Sequence, residues 1–515
     1  TGVYTDNQPD FSWILPGETK EFEQYWYPIR EIGPVKNATI DAALNMEERE
    51  GMLFLGIHAT GCFPEASITI QYKGEDVWSS TADLSCEQPW VKQVPWQKGW
   101  VYQDMSMSVM DSAGKILVSY KVPVRGIKKP IEPRKPAPRP SEIETIEELY
   151  IHGLHLEQYK HHTYDPKDYY LEALARDIGD IRCNTGMARI FYRKGLYESC
   201  VSFCDKAINR LLSRNEHATS VEVIYIKALA LMQLNRDGEA RPLLAKALWS
   251  YDYRSAALYE LACMDCREGS YSDALNNLHI CIQEHPNHER ARNLKAALLR
   301  KQGIAQANQN IDFDALDLWD RLEQYLASPS SELLKQIHTV FPENPQWYFD
   351  VITEYLHAGL FEDALSVLRM IDSGYPMVKF YHRYLHDRLS LGSDIPEYPE
   401  GENCFPNRPE DLVVLKHAVK NSYHATQASY LAGCLLYDKE QYEEATKYWE
   451  HAVALDSSHA YALRNLAIAY FDKYLDKRSA RLCIEKAFSL SRHPRILSEY
   501  QHLLKQSSCP IEERL

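Results

Sequence analysis

Two stretches decide the fold of this chain: LACMDCREGSYSDALNNLHICIQEHP (residues 261–286) and LAGCLLYDKEQYEEATKYWEHAVALD (residues 431–456). Aligned with each other, they bring small residues and aromatic residues into the same register. Small residues at fixed positions let two antiparallel helices approach closely, and the recurrence of such hairpins is typical of a helical array. The same position returns at Ala240 and Ala274, which are 34 residues apart.

This pattern resembles the tetratricopeptide repeat, in which small residues, an aromatic or other large residue and a turn glycine mark each pair of helices. In the stretch from 431 the resemblance assigns the small positions to Gly433 and Ala445. We therefore predict an all-α tetratricopeptide-repeat superhelix over residues 141–515. The segments around 304–340 and 385–412 fit the pattern poorly, so helical order is expected to continue there with irregular geometry or a loop.

The sequence before the repeats has a different character. Segments such as MLFLGIHA (52–59) and KILVSYKVP (115–123) are short, often alternate apolar with polar residues and are rich in β-branched side chains, which is typical of strands. We therefore predict a β-sandwich portion over residues 1–124. The run RGIKKPIEPRKPAPRP (125–140) combines prolines with cations, which favours a semi-rigid linker between the two parts.

Composition and charge disfavour several classes of function. A net charge of −15 argues against nucleic acid as the main ligand, because such binding depends on cationic patches. No apolar run approaches the ~20 residues that cross a bilayer, so no membrane contact is predicted. Most of the 12 cysteines lie in helical patterns, which favours buried thiols in a reducing, cytoplasmic compartment. The start of the chain looks internal, so an upstream part of the same protein is an expected partner.

The sequence has none of the catalytic motifs HExxH, GxxxxGK[ST] or GxSxG, and it has no GxGxxG after a strand. Cys263 and Cys266 have the CxxC spacing of redox and zinc sites, but a structural zinc ion needs four ligands and no second CxxC is present. We predict that both thiols pack within a helix, and that the chain has no metal site and no cofactor.

The repeats predict a concave groove that can receive an extended peptide. At first-helix positions of the groove, where chaperone-binding repeats carry a lysine and asparagine clamp, the sequence has Tyr225, Tyr259, Phe349 and Tyr430. The groove is therefore predicted to be aromatic and weakly charged. Two interpretations stay open: it binds an apolar protein partner, or it packs against the protein's own β portion.

The stretch FEQYWYP (22–28) is predicted to be a central strand of the sandwich, because aromatic residues fall on both of its faces. The longer run from Tyr4 to Met46 resembles a bacterial family of unknown function that is fused to tetratricopeptide repeats and often encoded near carbohydrate enzymes. Within that family, the LPGE turn (15–18) followed by an aromatic strand is similar to the galactose-mutarotase-like supersandwich. The resemblance implies that residues 1–124 are the C-terminal part of a larger carbohydrate-type domain.

The resemblance also implies a glycan ligand, since sugar sites use aromatic rings as platforms and carboxylates or amides as partners for hydroxyls. The candidate sugar-binding residues are Tyr4, Asp6, Gln8, Asp10, Trp13 and Trp26. Core packing of the tryptophans and turn formation by TDNQPD are the alternative explanation.

Two functions are therefore carried forward. The first is the C-terminal portion of a bacterial carbohydrate-active or carbohydrate-binding protein, such as a glycoside hydrolase whose catalytic residues are unknown and lie mostly outside this chain. The second is a non-enzymatic repeat scaffold for protein–protein interaction.

Overall fold

The structure is a computed structural model, and it describes residues 19–123, 136–159, 163–215, 217, 220–304, 316–341, 344–371, 374–392 and 404–507. The chain divides into two compact units, Thr1–Ala137 and Pro138–Leu515. Most of the predicted linker lies outside the described residues, so its character stays a prediction.

The first unit is an antiparallel β-sandwich. Its described strands are β1 (Asn37–Ala38), β2 (Ala42–Arg49), β3 (Met52–Ala59), β4 (Phe63–Tyr72), β5 (Glu75–Leu84), β6 (Trp90–Pro95), β7 (Met105–Met110) and β8 (Ile116–Lys121). They form two four-stranded sheets, in the orders β1-β2-β3-β6 and β5-β4-β7-β8. Leu44 and Met46 from one sheet pack in the same core as Ile68 and Met107 from the other, and each is at most 1% exposed.

The prediction of a strand at residues 22–28 is wrong. The described chain before Asn37 contains no strand, and Phe22 and Tyr25 are 60% and 61% exposed. A hydrogen bond from the Tyr27 hydroxyl to the Thr39 carbonyl oxygen, 2.8 Å long, ties this segment to the sandwich. Aromatic residues on both faces do not define the single apolar face that a strand buries in a two-sheet sandwich, so the alternation of aromatics misled the prediction.

The second unit is helical throughout its described residues, as predicted. Its helices are α1 (Ile146–Tyr159), α2 (Pro166–Arg176), α3 (Ile181–Arg193), α4 (Tyr197–Leu211), α5 (Glu222–Gln233), α6 (Asp237–Ala247), α7 (Tyr251–Arg267), α8 (Tyr271–Glu284), α9 (Glu289–Lys301), α10 (Leu318–Ala327), α11 (Ser331–Val340), α12 (Pro345–His357), α13 (Phe361–Leu368), α14 (Met377–Arg388), α15 (Pro409–Lys420), α16 (Ala425–Asp438), α17 (Tyr442–Leu455), α18 (Ala460–Asp472), α19 (Lys477–Leu490) and α20 (Pro494–Gln506).

Small residues sit where the helices of a hairpin approach most closely. A Cβ atom on Gly433 of α16 would lie 2.4 Å from Nε1 of Trp449 on α17, and one on Gly186 of α3 would lie 2.7 Å from the Tyr170 ring of α2. Ala445, facing Gly433, is fully buried. The sequence pattern of small and large residues therefore corresponds to real helix contacts.

The helical unit also closes on itself through residues that are far apart in sequence. Gln441 Nε2 donates a 2.6 Å hydrogen bond to the Lys194 carbonyl oxygen, and the Lys194 ammonium group pairs with the Glu440 carboxylate. Lys167 Nζ lies 3.5 Å from the same carboxylate. This closure contact joins the α3–α4 turn to the α16–α17 turn, so the repeats surround a narrow concave space.

Candidate functional site

The concave side of the helical unit encloses an axial cavity of about 260 Å³. Its walls come from helices α3, α5, α7, α9 and α12 and from the first turn of α15. The first helices of successive hairpins supply most of this surface, which is the face that repeat arrays present to ligands.

One ion pair crosses the cavity between α7 and α12. Nε2 of His357 lies 2.6 Å from Oε2 of Glu260, a residue that is only 6% exposed. Burial favours the neutral forms, but the mutual attraction is stronger: it holds the pKa of Glu260 below its usual value and, with help from Cys263, the pKa of His357 well above its own. Both groups are therefore charged at neutral pH.

Cys263 lies beside this pair, and its thiol interacts electrostatically with His357. The thiol is fully buried, and burial is the main reason that its pKa is raised, so it is not a reactive thiolate. Cys266 is 4% exposed on the same helix. In the part of the chain that the structure describes, no three His, Cys, Asp or Glu side chains are placed to hold a metal ion.

A second ion pair crosses between α9 and α12. Nη2 of Arg290 lies 2.7 Å from Oε2 of Glu354, and the Tyr259 hydroxyl donates a 2.8 Å hydrogen bond to the same oxygen. The Arg290 guanidinium also lies over the Tyr259 ring, 4.5 Å from its centre. These partners outweigh burial and raise the pKa of Arg290, so its guanidinium stays charged.

Glu410 adds a third carboxylate from the first turn of α15. No ion pair or side-chain hydrogen bond from another described residue reaches it. Burial is the largest influence and raises its pKa, while its own backbone N–H and then His357 act in the opposite direction.

Aromatic and apolar side chains form the rest of the cavity wall. Tyr192 packs edge-on against Tyr197 with ring centres 5.6 Å apart, and Tyr225 lies 5.4 Å from Tyr253. Burial raises the pKa of both Tyr192 and Tyr225, so their hydroxyls stay neutral. Leu229 and Met232 of α5 extend the same wall.

Of the four residues predicted to line the groove, the cavity contains Tyr225. Tyr259 and Phe349 are each 1% exposed, so their rings are buried among the helices. Tyr430 is half-buried away from the cavity, with its ring 4.7 Å from that of His459.

The cavity carries more charged side chains than the sequence predicted for the groove. The prediction used the aromatic positions of the first helices and passed over charged neighbours, such as Glu260 beside Tyr259. One face of a helix includes more than one residue per turn, so charged residues next to the aromatic positions can line the same groove. Those charged residues were the signal in the sequence that could have predicted the charge of the cavity.

Five of the proposed sugar-binding residues, namely Tyr4, Asp6, Gln8, Asp10 and Trp13, lie outside the described residues. Trp26 is 90% exposed, so the alternative explanation that it packs in the core is wrong. It lines a shallow surface depression of about 480 Å³ on the β unit together with Tyr25 and Ile40.

The two units define the class of protein: an antiparallel β-sandwich followed in sequence by a tetratricopeptide-repeat array. Residues 37–120 match the family described as YphG-like protein, second domain, and residues 426–459 match the tetratricopeptide repeat. These matches confirm the predicted fusion of a separate domain to tetratricopeptide repeats, whereas a mutarotase-like end is not among them. No helix in the described ranges has the length and apolar character to cross a membrane.

Several solved structures are similar to this chain, and two of the three described next are named as TPR proteins. The Naa15/Naa10 complex bound to HypK-THB is 13% identical over 71% of this chain and 66% of that chain, with a TM-score of 0.25. YrrB, described as a TPR protein with an unusual peptide-binding site, is 15% identical over 45% of this chain and 97% of its own, with a TM-score of 0.19. The P58(IPK) TPR domain is 16% identical over 71% of this chain and 99% of its own, with a TM-score of 0.19. At this level of similarity they carry no argument about function.

Proposed function

We propose that this chain is a protein-interaction scaffold whose axial cavity receives part of a partner polypeptide. The observation that carries the proposal is the cavity itself, because it joins aromatic walls to a carboxylate, Glu410, that the described residues leave without an ion pair. Aromatic side chains in a largely desolvated pocket are typical of binding hot spots.

The size of the cavity limits what enters it. At about 260 Å³ it lies below the ~300–1,000 Å³ of typical small-molecule pockets, and an extended peptide does not fit inside. One side chain or one chain terminus of the partner fits, while the rest of the partner lies across the entrance. The cavity therefore acts as an anchor point within a larger contact.

Filling the cavity tests the scaffold function. Peptides selected against the purified chain from a displayed random library should bind Leu229→Trp at least tenfold more weakly, because the larger side chain occupies the anchor point. Glu443→Trp on the exposed surface of α17 is the matched control and should retain full affinity. Titration calorimetry measures both, and selected peptides that bind the two variants equally well would contradict the proposal.

A glycan-binding role for the β unit is a separate proposal, supported by the high exposure of the Trp26 ring. Trp26→Ala should leave the melting temperature unchanged, since little buried area is lost, but should weaken glycan binding at least tenfold if the ring is a sugar platform. A glycan array followed by affinity electrophoresis measures the effect. Unchanged binding of every retained glycan by Trp26→Ala would remove Trp26 from the site.

A further inference from the structure

The charges of the axial cavity do not balance. Glu260 is neutralised by His357, and Glu354 is neutralised by Arg290, at distances of 2.6 Å and 2.7 Å. Glu410 is the remaining charge, and the described residues offer it no ion-pair partner. A carboxylate without an ion-pair partner in a partly dehydrated cavity is stabilised by a ligand that supplies a positive charge.

The groups around Glu410 do not supply that charge. The titratable groups that interact with it electrostatically include Tyr192 of α3, Tyr197 of α4, Glu354 and His357 of α12, Tyr381 of α14 and Asp411 of α15. The tyrosines are neutral and the two acids are repulsive, so His357 is the one cation in this set. The positive charge of His357 is already paired with the carboxylate of Glu260, so it neutralises Glu410 only weakly.

The walls of the cavity match the two ends of a long basic side chain. Tyr192 and Tyr225 present aromatic rings, which attract a cation held within about 6 Å of the ring face. Leu229 and Met232 offer apolar contact to the methylene groups that precede the charged end. An anion finds no comparable partner, since the guanidinium of Arg290 is already engaged by Glu354.

We propose that the axial cavity is a cation site that binds the guanidinium or ammonium group of an arginine or lysine side chain of a partner polypeptide, with Glu410 as its counterion. The inference rests on the proposed scaffold function and names the chemistry of the partner. The cavity holds one such side chain, so a single basic residue anchors the partner.

The probes are short peptides that differ in one side chain. Acetyl-Gly-Gly-Arg-Gly-Gly-amide and its lysine analogue are compared with the citrulline analogue, which keeps the shape of arginine without its charge. The basic peptides should bind the full chain at least tenfold more tightly than the citrulline peptide, as measured by saturation-transfer NMR titration. Equal binding of the arginine and citrulline peptides would overturn the cation site.

Glu410→Gln keeps the shape of the side chain and removes its charge. This substitution should weaken binding of the arginine peptide at least tenfold. It should also raise the melting temperature of the free protein, because a charge without an ion-pair partner is removed from the cavity. Glu443→Gln, an exposed carboxylate on α17, should change neither quantity. A residue with a purely structural role would lose stability instead, and unchanged peptide affinity in Glu410→Gln would refute its role as counterion.

Spermidine distinguishes a free amine from a partner side chain. If spermidine binds in a Glu410-dependent way and no peptide does, the cavity is a cation site for small amines, and both the partner assignment and the scaffold function fail. If library-selected peptides bind through the cavity without needing a basic residue, the scaffold function stands and the cation inference fails. If the arginine peptide binds more tightly than spermidine, and Glu410→Gln abolishes this difference, the result supports both the scaffold function and the cation site.

Discussion

Replacing Gly433 with alanine is expected to destabilise the helical unit by about 2–4 kcal/mol. The new Cβ atom would lie 2.4 Å from Trp449 Nε1 and 3.0 Å from the Ala445 carbonyl oxygen, so helices α16 and α17 cannot keep their separation. Trp449 is 3% exposed and donates a 3.1 Å hydrogen bond to the Tyr430 carbonyl oxygen. The indole therefore cannot move away from the new Cβ atom without losing this hydrogen bond. Urea unfolding followed by circular dichroism measures the loss.

The same substitution at Gly238 should have the opposite effect. Gly238 lies in α6 with no atom within 4 Å of the added Cβ and without a left-handed backbone. Alanine there restricts the unfolded chain and favours the helix, so a gain of up to about 1 kcal/mol is expected. If Gly433→Ala also raises stability, helix propensity outweighs the close contact between α16 and α17. If Gly238→Ala lowers stability as much as Gly433→Ala does, the close contact is not the cause of the loss.

The repeats could be predicted from sequence because their signal is local. Gly433 and Ala445 mark a helix pair whose two halves are adjacent in the chain, so spacing alone reports their contact. The strands of the β unit were predictable for the same reason, since alternation within one strand such as Met105–Met110 matches alternating burial. Both signals are complete within one or two neighbouring elements.

The axial cavity could not be predicted in this way. Tyr192 and Glu410 line the same cavity although they are far apart in the sequence, as are Lys194 and Gln441 of the closure contact. No short window of sequence encodes such proximity. Aromatic residue type did not identify the residues that line the cavity. The ring of Tyr259, for example, is buried in the helical core, while its hydroxyl donates a hydrogen bond to the Glu354 carboxylate. Burial, rather than residue type, separates a core tyrosine from one that lines a cavity.

Removing the positive charge of the pair between α7 and α12 should have the other large effect. His357→Leu is expected to cost about 3–5 kcal/mol at neutral pH, because it leaves the buried Glu260 carboxylate without its partner. Adding Glu260→Gln in the same chain should recover much of that loss, since the remaining side chain is neutral. Equal stability of the single and double variants would show that water already screens this carboxylate.

The pH dependence of the same pair provides an independent check. The pKa of His357 is raised from 6.5, so its contribution to stability is fully present below that value and is lost as the pH rises through the raised pKa. The pKa of Glu260 is lowered from 4.5, so its contribution is present above that value and is lost as the pH falls through the lowered pKa. The difference in unfolding free energy between the parent and His357→Leu should therefore be greatest and nearly constant between these two ordinary values. It should shrink in both directions, and a difference that kept growing above neutral pH would mean that His357 is stabilised as the neutral imidazole.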